Sequence, residues 1–386
     1  MECASLQRGS ENGASTEESL ADKVMRTVWV PWQRERRLGR EQERTIATRR
    51  GTWLGAGYYH AVVLRCDGGV ACWGSNGEGQ APPDGVDGDF VAICAGSSHS
   101  MALRRNGNVA YWGSNEHGRA PPDGVDGDFV AIAAGGRHSL ALRRNGNVAC
   151  WGSNNQGQAP PDGVEGDFVA ISAGWNHSLA LRRNGSVACW GFNDEGRAPP
   201  DGVEGDFIAI VAGAYHSLAL RRNGSVACWG QNAYGEAPPD GVPGVFIAIA
   251  AGGGHSLALR RNGSVACWGR NLEGRAPPDG VPGVFIAVAA GGDHSLALRP
   301  GVFIAIAAGS EHSLALRRDG SIAFWGSNQF GQAPRGGMDG DFVAIGAGAY
   351  YSVALRRDGS VACWGRNDYG EAPPAGMHGP FKTPEV

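Results

Sequence analysis

The sequence predicts an all-β fold, a β-propeller of tandem 39-residue repeats with three-stranded antiparallel blades. Three observations support this prediction. Trp-Gly pairs recur every 39 residues from Trp73 to Trp268, and again between Trp325 and Trp364. Each full repeat holds three apolar runs of strand length. Glycine, at 63 of 386 residues, recurs at fixed places inside the repeat where turns are expected.

The repeat over residues 128–166 shows the three strands. Its apolar runs are FVAIAAG (129–135), HSLALRR (138–144) and NVACWG (147–152). The last two runs flank Asn145-Gly146, a strong hairpin signal because both residues of a two-residue type I′ turn adopt positive φ. A Pro-Pro-Asp-Gly segment at 160–163 then interrupts strand pairing and predicts a crossing to the next blade. Near-continuous apolar runs indicate strands that neighbouring blades cover on both faces.

One repeat is shorter than the others and leaves the blade count open. Trp268 and Trp325 are 57 residues apart, so one copy has lost 21 residues. The loss falls where Arg299 runs directly into Pro300, and it removes the third strand and its connector. We predict about eight blades, with the truncated repeat near 284–301 as an incomplete ninth insert; seven to nine blades are compatible with the sequence.

The propeller is expected to span residues 51–379. Residues 1–50 hold ten Lys and Arg against eight Asp and Glu and are expected to be a charged segment, partly helical or disordered. A capping-box pattern in this segment places a short helix at about 16–29. Residues 380–386 form a C-terminal tail.

Composition limits the classes of function. The formal net charge is −4, and residues 51–386 hold 24 Lys and Arg against 30 Asp and Glu, which does not favour nucleic acid as a partner. The sequence contains no apolar stretch of membrane-spanning length, and its polar N-terminus lacks a signal-peptide core. We therefore expect a monomeric intracellular protein, cytoplasmic or nuclear, that does not bind membranes.

The repeated histidines and tryptophans are interpreted as structural. One histidine per blade, from His60 to His312, lies on a separate sheet each time, so the rings could share the coordination sphere of a metal ion only if they line the axis. Each ring is expected to cap its Gly-x-x-His turn by bonding to backbone and to fill part of the blade interface. The Trp-Gly tryptophans are expected in the core between blades. The sequence thus predicts no metal, no cofactor and no catalytic residue.

The repeated cysteines are also interpreted as structural. The cysteine before Trp-Gly alternates with Tyr111 and Phe324, which indicates packing instead of zinc or redox chemistry. Because most of the nine cysteines copy this one position, they fit a reducing compartment. Cys66 and Cys72 are not expected to pair, because a two-residue turn would set Cys72 opposite Val63.

The strand order separates two rims of the propeller. One rim brings the Arg-Arg-Asn-Gly turns beside acidic residues at the start of the first strands, and we interpret it as solubilising and structural. The other rim, the variable face, carries the two residues between Ala-Gly and His and the loop after Trp-Gly, which differ in every copy. Aromatic and arginine side chains on rigid turns are typical anchors of protein interfaces. The predicted partner-binding residues are Arg137, Trp175, Asn176, Phe192, Tyr215, Tyr234, Leu272, Phe330, Tyr350 and Tyr369.

The unit AGGRHSLALRRNGNVACWGSNNQGQ (134–158) resembles the repeats of the regulator-of-chromosome-condensation family. The family pattern has Ala-Gly, a His-Ser-x-Ala-Leu strand, an x-Gly turn and Trp-Gly-x-Asn-x-x-Gly-Gln. The match covers roughly residues 51–379. The short three-stranded version is similar to the β-lactamase-inhibitory propeller and to the arrays of HERC-type ubiquitin ligases. The resemblance implies a propeller, while family members differ in function.

The leading functional hypothesis is an intracellular scaffold that binds a protein partner of unknown identity through the variable face. The resemblance implies two alternatives: a regulatory domain of a guanine-nucleotide exchange or HERC-type ubiquitin-ligase system, or a repeat relic without function. Variation by drift in unconstrained loops is the competing explanation of the variable face. We expect no enzymatic activity, because the sequence shows no catalytic motif and no HECT domain follows Val386.

Overall fold

The structure is a computed structural model that describes residues 54–370, together with 372, 373 and 376. Within that span it leaves out residues 119–120, 122–123, 272–286, 291–294, 299–302, 309–311, 318, 327 and 335–336. The charged segment 1–50, with its expected helix, and the tail 380–386 lie outside the described residues. The described chain forms 26 strands and one short 3-10 helix, Glu116–Gly118. No helix in this part of the chain combines the length and apolarity needed to cross a membrane.

The strands pair in chain order into nine sheets within the described residues, eight of them three-stranded. The first four sheets are β1–β3 (Leu54–Ala56, His60–Leu64, Val70–Gly74), β4–β6 (Phe90–Ala95, His99–Arg104, Val109–Gly113), β7–β9 (Phe129–Ala134, His138–Arg143, Val148–Gly152) and β10–β12 (Phe168–Ala173, His177–Arg182, Val187–Gly191). Two further three-stranded sheets are β13–β15 (Phe207–Ala212, His216–Arg221, Val226–Gly230) and β16–β18 (Phe246–Ala251, His255–Arg260, Val265–Gly269). The remaining sheets are β19–β20 (Ala287–Ala290, Ser295–Leu298), β21–β23 (Phe303–Ala308, His312–Arg317, Ile322–Gly326) and β24–β26 (Phe342–Ala347, Tyr351–Arg356, Val361–Gly365).

The sheets follow one another around a ring. The first strand of each sheet contacts the first strands of both neighbours, so these strands lie nearest the axis. The β1 strand contacts β24 in the same way, which closes the ring. All eight three-stranded sheets are antiparallel, which confirms the predicted all-β propeller. The truncated repeat forms the two-stranded sheet β19–β20, which packs on β16 and β17 on one side and on β21 on the other and so occupies its own position.

The hairpin between second and third strands has a three-residue loop, so the predicted two-residue turn is wrong. In β5–β6 the N–H of Arg104 donates to the carbonyl of Asn108 (2.8 Å), and the N–H of Gly107 donates to the carbonyl of Arg104 (3.0 Å). Gly107 has a φ of 94°, the left-handed conformation that completes this loop. The Oδ1 atom of Asn106 accepts the N–H of Asn108 at 2.9 Å, and this local bond stabilises the longer loop.

The extra loop residue shifts the strand register by one position. Cys72 pairs with Val62, where the two-residue turn would have placed it opposite Val63. Cys66 is exposed and Cys72 is buried, and no disulfide joins them. The cysteines of the third strands pack between blades, and burial raises the pKa of Cys150 to about 12. Such thiols stay protonated at neutral pH, which agrees with a packing role.

The hydrophobic core lies between successive blades. Val62, Leu64 and Cys72 of the first blade pack against Phe90 and Ile93 of the second. The same arrangement recurs at the following interfaces. The strands are apolar along most of their length because a neighbouring blade covers each face of the sheet.

A hydrogen bond between histidine and serine crosses the interfaces between blades. The Nε2 atom of His60 lies 2.8 Å from Oγ of Ser100 in the next blade. The same bond, at 2.8 to 3.0 Å, joins His99–Ser139, His138–Ser178, His177–Ser217, His216–Ser256 and His312–Ser352. The rings therefore lie in the blade interface, as expected, but they bond to a serine of the next blade. We expected each ring to bond to the backbone of its own turn, but its Nε2 atom bonds to the serine of the next blade instead.

The serine extends this bond to the connector between the two blades. Ser178 Oγ donates to the carbonyl of Gln158 at 3.0 Å, and Trp190 Nε1 donates to the same carbonyl at 3.0 Å. Because Ser178 donates there, it accepts the Nε2–H of His138, which fixes the tautomer of this ring. The next two interfaces repeat the arrangement. At these three interfaces the serine therefore links its blade both to the preceding blade and to the connector between the two blades.

The interface that closes the ring, here called the closing seam, uses a different pair of residues. The last blade, β24–β26, has Tyr351 in place of histidine, and the first blade has Ala61 in place of serine. The Tyr351 hydroxyl donates to the backbone carbonyl of His60 across the seam. Tyr351 and Val353 also pack in one cluster with Ala61. The two replacements complement each other, because a histidine here would face a methyl group instead of a hydroxyl.

The buried histidines predict acid-sensitive stability. Burial lowers the pKa of His60, His138 and His216 to about 4 and is the main cause that lowers the pKa of His177 to about 3. Below the ordinary value of 6.5 the unfolded chain binds protons that the folded ring excludes until about pH 4, so stability falls as pH falls through this window. Within this window each histidine lowers the free energy of unfolding by about 1.4 kcal/mol for each unit by which the pH falls.

We expect the four histidines to make the ring melt at a much lower temperature at about pH 5 than at about pH 7. Thermal denaturation followed by circular dichroism across this pH range measures the effect. A melting temperature that stays constant from about pH 7 to pH 5 would contradict the buried, neutral state of these rings.

The closing seam predicts that a destabilising substitution can be repaired. Tyr351→His removes the hydroxyl bond to His60 and leaves an imidazole facing Ala61, and it should lower the free energy of unfolding by about 1–2 kcal/mol. Adding Ala61→Ser recreates the pair found at the other interfaces and should restore much of this loss. Urea unfolding of both variants, with Ala61→Ser alone as control, tests the pairing. A double variant no more stable than Tyr351→His would show that the two positions are not coupled.

Candidate functional site

The variable face of the sequence analysis is one rim of the ring, and we call it the variable rim. In the seven repeats whose turn the structure describes, a two-residue turn joins the first and second strands, and the N–H of Gly57 closes the first of these turns by donating to the carbonyl of His60 at 2.8 Å. The loop after Trp-Gly is fastened to the same turn. In the last blade the N–H of Arg366 donates to the carbonyl of Tyr350 at 3.0 Å, and six other blades of the described chain repeat this bond. The residues that vary between copies therefore lie side by side on backbone that is held by hydrogen bonds.

The structure places the predicted residues on this rim with different exposure. Arg137 is exposed, while Asn176, Phe192 and Tyr350 are half-buried. The exposed aromatic side chains leave between 37% and 55% of their surface accessible, and these are Trp175, Tyr215, Tyr234, Phe330 and Tyr369. Leu272 lies outside the described residues.

Five aromatic residues come together where the ring closes, and we call them the seam cluster. They are Tyr58, Tyr59, Phe330, Tyr350 and Tyr369. Tyr59 stacks on Tyr350 across the closing seam with ring centroids 6.3 Å apart, and it lies 6.0 Å from Tyr369. Phe330 meets Tyr350 edge-on at 5.7 Å from the other side. Residues from the first blade and the last two repeats thus form one aromatic surface that exists because the ring is closed.

An arginine lies at the centre of the seam cluster. The guanidinium carbon of Arg366 is 5.6 Å from the ring centroids of Tyr59, Phe330 and Tyr369 and 5.9 Å from that of Tyr350. Its Nε donates to Oδ2 of Asp368 at 2.7 Å. A cation over several aromatic faces is attracted by each ring, so Arg366 holds the four rings in fixed relative positions. The cluster is therefore preorganised, with ring edges and a partly exposed cation on its surface.

A second, smaller arrangement of the same type lies several blades away. The guanidinium of Arg197 lies 4.5 Å from the ring of Phe192 and 5.5 Å from that of Tyr215. Arg197 is 4% exposed, and its terminal nitrogen donates to Oε2 of Glu195 at 2.6 Å. Two blades further on, Arg270, which directly follows Trp-Gly, lies over the ring of Tyr234 at 5.3 Å. Contacts between an arginine side chain and an aromatic ring thus recur along the variable rim.

The sequence analysis missed the residues that organise these clusters. Tyr58 and Tyr59 occupy the Ala-Gly-x-x-His turn of the first copy, so the comparison of copies already contained the signal needed to find them. Arg366 and Arg270 follow Trp-Gly directly, where half of the copies have serine. The residue at this position varies between copies, as the rest of the loop does. Its contact with the aromatic rings can be recognised only from the three-dimensional structure.

Within the described part of the chain, the side chains that could ligate a metal ion do not gather at one site. In the hydrogen bonds that cross the blade interfaces, the Nε2 atom of each histidine ring is bonded to a serine hydroxyl. Across the part of the chain that the structure describes, no three His, Cys, Asp or Glu side chains gather closely enough to hold a metal ion.

Comparison with known proteins agrees with the repeat analysis. The family model described as "Regulator of chromosome condensation (RCC1) repeat" matches more than half of the chain, at residues 54–80, 90–119, 129–158, 168–197, 207–236, 246–275, 303–332 and 342–371. A search of curated proteins gives no match.

Several solved structures are similar to this chain. The ectodomain of the Physcomitrella patens receptor kinase CR4 is 25% identical, with a TM-score of 0.49, over 72% of this chain and 73% of that one. The ectodomain of the Arabidopsis thaliana receptor kinase ACR4 is 23% identical, with a TM-score of 0.48, over 71% and 95% of the two chains. Yeast RCC1 (Prp20), solved bound to Kap60, is 21% identical, with a TM-score of 0.48, over 64% and 80%. On the strength of the eight matched repeats, this chain belongs to the regulator of chromosome condensation (RCC1) repeat family.

Proposed function

We propose that this chain is a protein-binding propeller whose partner docks on the variable rim, with the seam cluster as the centre of the contact. The observation that supports the proposal is the gathering of four aromatic side chains around Arg366 on one exposed surface. Tyrosine and arginine are the residue types that most often dominate the binding energy of protein interfaces. The proposal thus assigns a function to residues that the fold itself does not require.

The position of the cluster supports a binding role. The rings sit on tight turns whose backbone is held to neighbouring strands by hydrogen bonds, so little further conformational freedom is lost on binding. Tyr58, Phe330 and Tyr369 expose 36%, 45% and 55% of their surface. A preorganised apolar surface with polar ring hydroxyls and a central cation matches the composition of interface anchors.

Drift between duplicated copies explains this surface less well. Unconstrained loops favour small and polar residues, as in Ser97-Ser98 of the second copy. The seam cluster instead draws large aromatic residues from three repeats into mutual contact, and one arginine contacts four of them. Independent drift in three separate copies provides no reason for that convergence.

The cluster predicts a selective loss of binding. The triple variant Phe330→Ala, Tyr350→Ala, Tyr369→Ala should weaken partner binding by about 100-fold or more, because truncating central aromatic anchors removes several kcal/mol of binding energy. Quantitative cross-linking pull-down from the native cell, with purified partners then measured by titration, tests this effect.

A matched control lies on the same rim. Ser98→Ala with Gln156→Ala alters equivalent positions in two other blades and should leave the recovered proteins unchanged. Both variants are first checked for an unchanged melting temperature. Recovery of the same proteins at the same level by the triple variant and the native chain would refute the proposed role of the seam cluster.

A further inference from the structure

The truncated repeat leaves the second strand of its sheet at an edge. In the eight complete sheets the second strand lies in the middle and pairs with a first strand on one side and a third strand on the other. The sheet of the truncated repeat consists of β19 and β20, which pair from Ala287 with Leu298 to Ala290 with Ser295. Among the described strands none pairs with the other side of β20, so the sheet ends there.

The preceding complete blade shows which backbone groups of β20 face this edge. There the N–H of Arg260 donates to the carbonyl of Ser264 beside β18, at 2.8 Å. Backbone groups alternate in direction along an antiparallel strand, so Ala258 also bonds towards β18, and every second residue does so. The residues of β20 in this phase of the 39-residue period are Ser295 and Ala297. Their N–H and C=O groups therefore point to the place that a third strand occupies in the other blades, and they can pair with an added strand.

Third strands also contribute to the apolar packing between complete blades. Cys228 of β15, for example, packs in one cluster with Ala266 and Trp268 of the third strand in the next blade. At the following interface, the cluster that holds Cys267 includes Ala290 of β19 as the described contribution of the truncated repeat. Burial raises the pKa of Cys228 to about 12 but that of Cys267 to about 11, which agrees with a thinner cover over Cys267. The β18 strand thus presents an apolar side to the place where a third strand is absent.

The ring keeps the width of one strand beside β20. The β19–β20 sheet packs on β16 and β17 on one side and on β21 on the other, so it holds its own position between two complete blades. The third strands of those blades, β18 and β23, therefore lie two blade positions apart. Because neighbouring strands in a sheet are about 4.8 Å apart, one extended chain fits between them as the next strand of this sheet. The same edge of a second copy does not fit, because it carries its own flanking blades.

We propose that β20 is a docking edge, which binds an extended segment of a partner protein as the third strand of the truncated blade. The complete blades define the chemistry of this segment, because six third strands read Val-Ala-Cys-Trp-Gly and the other two read Val-Ala-Tyr-Trp-Gly and Ile-Ala-Phe-Trp-Gly. Backbone bonds to Ser295 and Ala297 contribute affinity. The alanine and tryptophan of the segment pack on Cys267, as Ala266 and Trp268 pack on Cys228, and contribute specificity. This site is independent of the proposed function of the variable rim.

The experiment uses the full chain and a fluorescein-labelled peptide with the sequence of residues 107–115, GNVAYWGSN, which is a third strand without cysteine. Fluorescence anisotropy should show saturable binding. In its own blade Ala110 lies opposite Ala102, and its N–H points to the second strand. N-methylation of this alanine in the peptide should therefore weaken binding about tenfold, because it removes one backbone bond. N-methylation of Tyr111, whose N–H points away from the second strand, is the matched control and should leave binding unchanged.

A variant of the chain locates the site. Inserting a copy of residues 261–281 between Arg299 and Pro300 restores the 21 absent residues, and thus the third strand and its connector. After a check that it melts cooperatively, this variant should bind the peptide at least about tenfold more weakly than the native chain. The seam-cluster triple variant should bind the peptide normally, which separates this proposal from the proposed function. Absence of saturable binding, equal loss from the two N-methyl groups, full binding by the insertion variant, or a native dimer in light scattering that the insertion abolishes would each overturn the proposal.

Discussion

The hydrogen bond from the histidine of one blade to the serine of the next is the constraint on which the rest of the structure depends. It fixes the distance between adjacent second strands, and the same serine also binds the connector through a backbone carbonyl. It also explains the glycine that precedes each turn. A Cβ atom at Gly57 would lie 2.4 Å from Cε1 of His60 and 2.7 Å from the carbonyl oxygen of Gly96. Glycine, histidine, serine and tryptophan therefore recur together, and apart from the closing seam the variation between copies lies outside this contact.

The closing seam shows how a repetitive chain specifies its ends. At the closing seam Tyr351 and Ala61 replace the histidine and serine, so the last blade is complementary to the first. The same closure brings Tyr59 beside Tyr350 and forms the aromatic surface around Arg366. The stability of the ring and the proposed binding surface thus depend on one interface. The truncated repeat, with two strands, keeps its place between its neighbours without opening the ring.

The sequence was sufficient for the period, the three strands of each blade and the division into two rims, because each depends on local patterns that repeat. The sequence was not sufficient to predict which residues contact each other between blades. The three-residue loop at Arg105–Gly107 differs from the expected turn because a side-chain bond of Asn106 favours it. The partner of His60 is 40 residues away in the chain, and the contact of Tyr59 with Tyr350 joins residues from opposite ends of the array. Neither can be read from the composition of a single repeat.

The contact between His177 and Ser217 tests the account most directly, because both side chains are fully buried and their atoms lie 3.0 Å apart across one interface. The measurement is a double-mutant cycle of His177→Ala and Ser217→Ala by urea unfolding. The account predicts that the two losses in unfolding free energy are non-additive, with a coupling of about 1 kcal/mol or more. Strictly additive losses would show that the two residues stabilise their blades separately, and would contradict a ring held together by this bond.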